Sequence, residues 1–165
     1  MLKQLVNQVI SIARETALFI RKEREDFSQK DVRFKSEAQQ DLVSYVDEQT
    51  EERLIEALSK LDPQAGFISE ERHPEYKSGL NWIIDPIDGT TNFVHGIPHY
   101  AISIALAQDK EVLLGVVLEV SSNNCFHSVQ GGDSFLNDKV IRTSSNSLLK
   151  RALLSTGFSV KSHDR

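Results

Sequence analysis

The amino-acid sequence predicts an α+β fold, a layered sandwich in which two long helices cover a mostly antiparallel sheet. Three observations carry that expectation. From Leu2 to Arg24 the apolar residues recur at steps of three and four, and a second helical stretch ends at Leu61. Beyond Pro63 the pattern changes to short β-rich runs punctuated by turn residues, and no internal repeat or low-complexity linker divides the chain. With 165 residues, 39% of them apolar and 26% charged, the chain is of ordinary globular composition and long enough to build a core.

The first helix is expected from Leu2 to Arg24, where Leu5, Val9, Ile12, Ala13, Thr16, Ala17 and Ile20 form one apolar stripe. Glu25 to Gln40 is polar with Phe27, Val32 and Phe34 as its only anchors, which suggests a surface connection; Glu23 to Asp26 suggests a solvated run. A second helix is expected from Ser44 to Leu61, burying Leu54, Ile55, Leu58 and Leu61, with Pro63 ending it. GFISEE and LNWIIDP suggest short strands ending in carboxylates, and YAISIALAQ and VLLGVVLEV a hairpin turning at DKE. NCFHSVQGG, SFLN and VIRTS continue the strands, and the last eighteen residues suggest a helix or turn, a strand and a loop. Two helices are few for so many strands, so a longer parent chain is expected.

Nineteen Lys and Arg against twenty-four Asp and Glu leave a net charge of −5 without a dense basic tract, which argues against nucleic acid as the main partner. One cysteine, Cys125, excludes an internal disulfide, and the charge-interrupted amino terminus resembles neither a signal peptide nor a membrane span. A cytoplasmic location without membrane association is the expectation.

The chemistry concentrates in Asp85-Pro86-Ile87-Asp88-Gly89-Thr90-Thr91, directly after the apolar Trp82-Ile83-Ile84. Pro86 cannot donate to a strand ladder and Gly89 admits a conformation other residues avoid, so the chain must turn there and can bring Asp85 and Asp88 together. Neighbouring carboxylates repel unless a proton or cation intervenes. Glu70 would join them if its strand lies alongside. Such an oxygen-only set suits magnesium. Asp47 lies seven residues before Leu54 and eleven before Leu58, on the buried stripe of the second helix, where a charge needs a partner.

Blander roles stay open for each. Asp85 and Asp88 could form an Asx-type turn and a helix cap, Glu71 could be a solvated neighbour of Glu70, and Asp47 could make an ordinary ion pair. Free backbone N–H groups near Gly89 and Thr90 could receive a phosphate and the Thr90 hydroxyl could align a water, or Thr90 and Thr91 could simply cap a helix. His95 and His99 are separated by Gly96 and Pro98, which argues against a shared helix and a zinc pair. Cys125 and His127 should share a strand face as packing residues. Trp82, Phe93, Tyr100 and Phe135 are expected anchors.

Trp82 to Tyr100 resembles the signature of the inositol monophosphatase family, and Asp41 to Asp47, Glu70-Glu71 and Gly131 to Asn137 resemble its other amino-terminal landmarks. The resemblance implies a magnesium-dependent phosphomonoesterase acting on a small phosphorylated molecule, usually inositol monophosphate, and a homodimer in the complete protein. It implies metal ligation by Glu70, Asp85, Asp88 and the Ile87 carbonyl, and support for a third ion from Asp47, hence two or three magnesium ions. It also implies water orientation by Glu70 and Thr90, phosphate binding at Gly89 and Thr90, and substrate contact by Asp88. Related phosphatases act on sugar bisphosphates, 3′-phosphoadenosine 5′-phosphate or NADP, and an inactive scaffold or regulatory binding protein is a further alternative. Ser69 and Ser44 depart mildly from the family pattern, which commonly has glycine and threonine there. Family members are usually longer, their second half adding another metal-binding aspartate. Residues 1–165 are accordingly expected to be an amino-terminal metal-binding domain lacking its carboxy-terminal half, weak or inactive alone.

Overall fold

The computed structural model describes residues 2–29, 36–69, 76–109 and 111–156, and only the backbone of 27–29 and 36–44. The order is α1 (Leu2–Gln29), α2 (Ser36–Leu61), β1 (Gly66–Ser69), β2 (Leu80–Asp88), α3 (Thr90–His95), β3 (Ala101–Gln108), β4 (Glu111–Glu119), β5 (Cys125–Val129), β6 (Ser134–Leu136) and β7 (Lys139–Ile141), then a 3-10 turn at Leu149–Arg151. No helix among the described residues is long and apolar enough to cross a membrane.

Both long helices extend further than their apolar stripes suggest, α1 to Gln29 and α2 from Ser36, so most of the expected surface connection is helical. Charged and polar residues of good helix propensity continue a helix once its buried face has anchored it. The expected anchoring side chains of Phe27, Val32 and Phe34 lie outside the described residues.

The seven strands form one sheet in chain order. β1 runs parallel to β2, with Ser69 opposite Ile84, and every other neighbouring pair is antiparallel. α1 lies over β4 and β5 and α2 over β2, side by side on one face. From α1 the core takes Val6, Val9, Ala13, Ala17 and Ile20, and from α2 Val46, Leu54 and Leu58; the sheet returns Trp82, Ile84, Ile104, Leu106, Leu114, Val116 and Leu118. The Arg53 guanidinium stands 4.2 Å from the Phe19 ring centroid and fastens the helices to each other.

The expectation of a sandwich missing its carboxy-terminal half is corrected here. The layers are built within the described residues: α1 and α2 lie side by side over β2 to β5 and bury a continuous core against the inner face of the sheet. On the opposite face Ile83, Val117 and Phe126 are exposed. The carboxy-terminal run makes no strand through Thr156, and the strand and loop expected after it lie outside the described residues.

Candidate active site

β2 changes character along its length. Leu80 to Ile84 match β3 residue for residue, but between Asp85 (opposite Ser103) and Asp88 (opposite Ala101) β2 spends one residue more than its partner. Pro86 and Ile87, both buried, occupy the irregularity. A bulge of this kind bends the strand and redirects its side chains. Asp85 is half-buried and Asp88 exposed at the strand's end.

Gly89 then takes φ 95°, ψ 36°, and a Cβ there would stand 3.0 Å from the His99 carbonyl oxygen, so conformation and space both call for glycine. Gly89 caps α3 without a side-chain bond. Thr90 is therefore not the cap. Its hydroxyl donates to the Ile87 carbonyl at 2.9 Å, tying the helix start back over the bulge. The first intrahelical bond runs from the Phe93 N–H to the Gly89 carbonyl at 3.0 Å, leaving the earlier N–H groups without acceptors inside α3.

Six residues make a marginal helix, and α3 is held from outside. Gly96, at φ 70°, and Ile97 close it, donating to the carbonyls of Phe93 and Asn92 at 3.2 and 2.9 Å. Asn92 Nδ2 donates to the His99 carbonyl at 2.7 Å. Phe93 is buried and meets Tyr100 edge-on, centroids 5.4 Å apart. Beside this turn a groove of about 370 Å³ is lined by Asp88, Asn92, His99, Glu119 and Phe126 among others.

Asp47 lies on the buried face of α2, at 4% exposure. Thr50 and Glu51 share that face at 0%, polar burial that sequence reasoning missed although Glu51 follows Asp47 by one helical turn. Glu70 and Glu71 lie outside the described residues, and the described β1 register ends at Ser69, one residue before Glu70. Among the described residues no group of three or more His, Cys, Asp or Glu could hold a metal ion. The residue types present fit a hard cation in kind: Asp85 and Asp88 flank Ile87 in the sequence, and the Ile87 carbonyl oxygen keeps a second lone pair while accepting from Thr90.

The remaining candidates separate cleanly. His95 ends α3 and His99 lies beyond it; His99 Nδ1 is 3.8 Å from Glu119 Oε1. The Ser122 hydroxyl donates to Glu119 and, ahead of Asn124 and His99, holds its carboxyl below the usual range. Cys125 is buried, and burial pushes its thiol up, making it a packing residue. His127 stacks on Phe135 at 5.1 Å and shares a contact with the Asn137 carbonyl at 3.0 Å.

The sequence profile of the inositol monophosphatase family matches residues 1–165. The chain belongs to that family. The expectation that the chain resembles only the family's amino-terminal portion is corrected by this finding: the family profile matches the chain from residue 1 to residue 165. Among relatives, the inositol-1-monophosphatase of Rhizobium meliloti is 41% identical over 120 residues, covering 71% of this chain and 45% of that protein. The Nus factor SuhB of Pasteurella multocida is 36% identical over 161 residues, covering 95% and 59%. The crystal structure of the extragenic suppressor protein suhB from Bartonella henselae superposes with a TM-score of 0.75 at 30% identity, over 87% of this chain and 55% of that one. The chain thus spans about half the length of the curated relatives it matches.

Proposed function

We propose that the protein hydrolyses a phosphate monoester, inositol monophosphate foremost, at the bulge and turn between Asp85 and Thr90. The observation that carries the proposal is the irregularity in β2, which sets Asp85, the Ile87 carbonyl and Asp88 around one bend directly before an N–H-rich turn. Family membership supports the same reading.

In this reading Glu70, Asp85, Asp88 and the Ile87 carbonyl hold two magnesium ions, with Asp47 supporting a third. Magnesium, when bound, supplies Lewis-acid chemistry that acidifies water and offsets charge on the leaving alkoxide. Glu70 helps aim the attacking water at phosphorus. Thr90 orients that water as an acceptor, because its own hydroxyl proton is committed to the Ile87 carbonyl and its lone pairs remain. The N–H groups of Gly89 and Thr90 donate to phosphate oxygens, and Asp88 accepts from a substrate hydroxyl. The same reading takes the protein to be a cytoplasmic homodimer.

The test is phosphate release from inositol monophosphate, fructose 1,6-bisphosphate, 3′-phosphoadenosine 5′-phosphate and NADP, with and without magnesium. The largest kcat/KM is expected for inositol monophosphate, and Asp85→Asn should lower it at least a hundredfold with little change in thermal midpoint. Turnover that survives either that substitution or chelation sinks the proposal. A second reading, a binding role, is favoured by the Pasteurella relative's description as a Nus factor; no release from any of the four substrates would support it.

A further inference from the structure

We propose that Arg24, on α1, is a positioning residue for the site, a seat that holds α3 and with it the Gly89–Thr90 turn in catalytic register. The inference rests on the phosphatase reading. It goes beyond that reading by assigning a role to a residue outside the signature segment.

Arg24 falls four residues after the fully buried Ile20, so it continues the stripe of α1 that faces the core. It is half-buried, with its guanidinium carbon 6.0 Å from the Phe93 ring centroid. Phe93 is the buried anchor of α3 and already has Tyr100, seven residues on, at its edge, so the ring is held between a near neighbour in the chain and distant α1. The same guanidinium fills the space in front of Gly96: a Cβ there would stand 2.4 Å from Nη2. One planar group thus rests on both the middle and the end of α3.

The arrangement suits arginine specifically. A guanidinium is flat, permanently charged and weakly hydrated, so it stacks on an aromatic ring and lies against a bare backbone where an ammonium would keep its water. Because α3 is too short to hold itself, its orientation follows from what it rests on. Thr90 is its first residue, so tilting α3 moves the Thr90 hydroxyl and the N–H groups of the turn together. Small misplacements of such groups cost rate more than affinity.

The experiment is a double-substitution cycle of Arg24→Ala and Gly96→Ala, read by steady-state kinetics on inositol monophosphate with magnesium and by amide exchange at Phe93. Arg24→Ala is expected to lower kcat at least tenfold, to leave KM within about threefold, and to speed Phe93 exchange at least tenfold at an unchanged thermal midpoint. Gly96→Ala brings left-handed strain in either background and a clash with Nη2 only while Arg24 is present, so its effect on kcat should shrink, without vanishing, in the Arg24→Ala background. Arg24→Lys should recover part of the loss. An unchanged kcat in Arg24→Ala, or additive effects across the cycle, overturns the positioning role. A wild-type chain without magnesium-dependent turnover overturns the phosphatase reading, and the catalytic part of this role with it; unchanged Phe93 exchange in Arg24→Ala overturns the seat itself.

Discussion

The two halves of β2 obey different rules. From Leu80 to Ile84 the strand is matched without a break to β3, and from Asn81 to Ile84 also to β1, with Trp82 and Ile84 buried against the helices. From Asp85 to Asp88 the register slips, a proline interrupts the ladder, and two carboxylates stand where the apolar half has core residues. The difference teaches how a fold makes room for chemistry. A fully paired strand sends successive side chains to opposite faces, and a bulge at its end lets nearby polar groups gather.

Breaking the apolar half should cost the most stability. Trp82→Ala is expected to destabilise by about 3 kcal/mol, near the low end for a fully buried tryptophan, because removing the indole also removes a buried N–H that has no hydrogen-bond partner among the described residues. Urea unfolding measures this, and a loss under about 1 kcal/mol would show that this half is not the strand's anchor.

The polar half should answer differently. Gly89→Ala meets both left-handed strain and the His99 carbonyl oxygen, so a stability loss of about 1–2 kcal/mol should come with a much larger fractional loss of turnover. Activity falling only as far as the folded fraction falls would mean that the turn supports structure alone.

The smallest effect lies across the adjacent groove, at Glu119. Its folded pKa is lowered from an ordinary 4.5, first by the Ser122 hydroxyl, so the associated stabilisation is present above the unfolded value and is lost as pH falls through the folded value. Ser122→Ala should therefore lower the thermal midpoint slightly at neutral pH, with the gap to wild type closing in acid. A gap that widens on acidification would reverse the assignment.

Much of this was legible in the chain. The buried stripe of α1 follows from spacing alone, as do Asp47 on the inner side of α2 and the break at Pro86 and Gly89. Helix lengths were not, because the residues that extend α1 and α2 carry little apolar signal. Arg24 was misjudged as part of a solvated run: a charge every few residues looks like surface until a ring such as Phe93, 69 positions away, is brought beneath it. Glu51 was missed because a buried carboxylate contradicts the ordinary preference for exposure.

By itself, the sequence determined the period of the long helices, the place where β2 must stop being a regular strand, and the oxygen-rich character of the proposed site. These are local consequences of side-chain spacing, of proline's missing donor and of glycine's freedom. Only the tertiary structure decided that α1 and α2 lie side by side on one face, that the Thr90 hydroxyl turns back to Ile87 instead of capping α3, and that Arg24 reaches across to Phe93 and Gly96. Those outcomes depend on which distant surfaces become neighbours when the core closes, and no local pattern encodes that geometry.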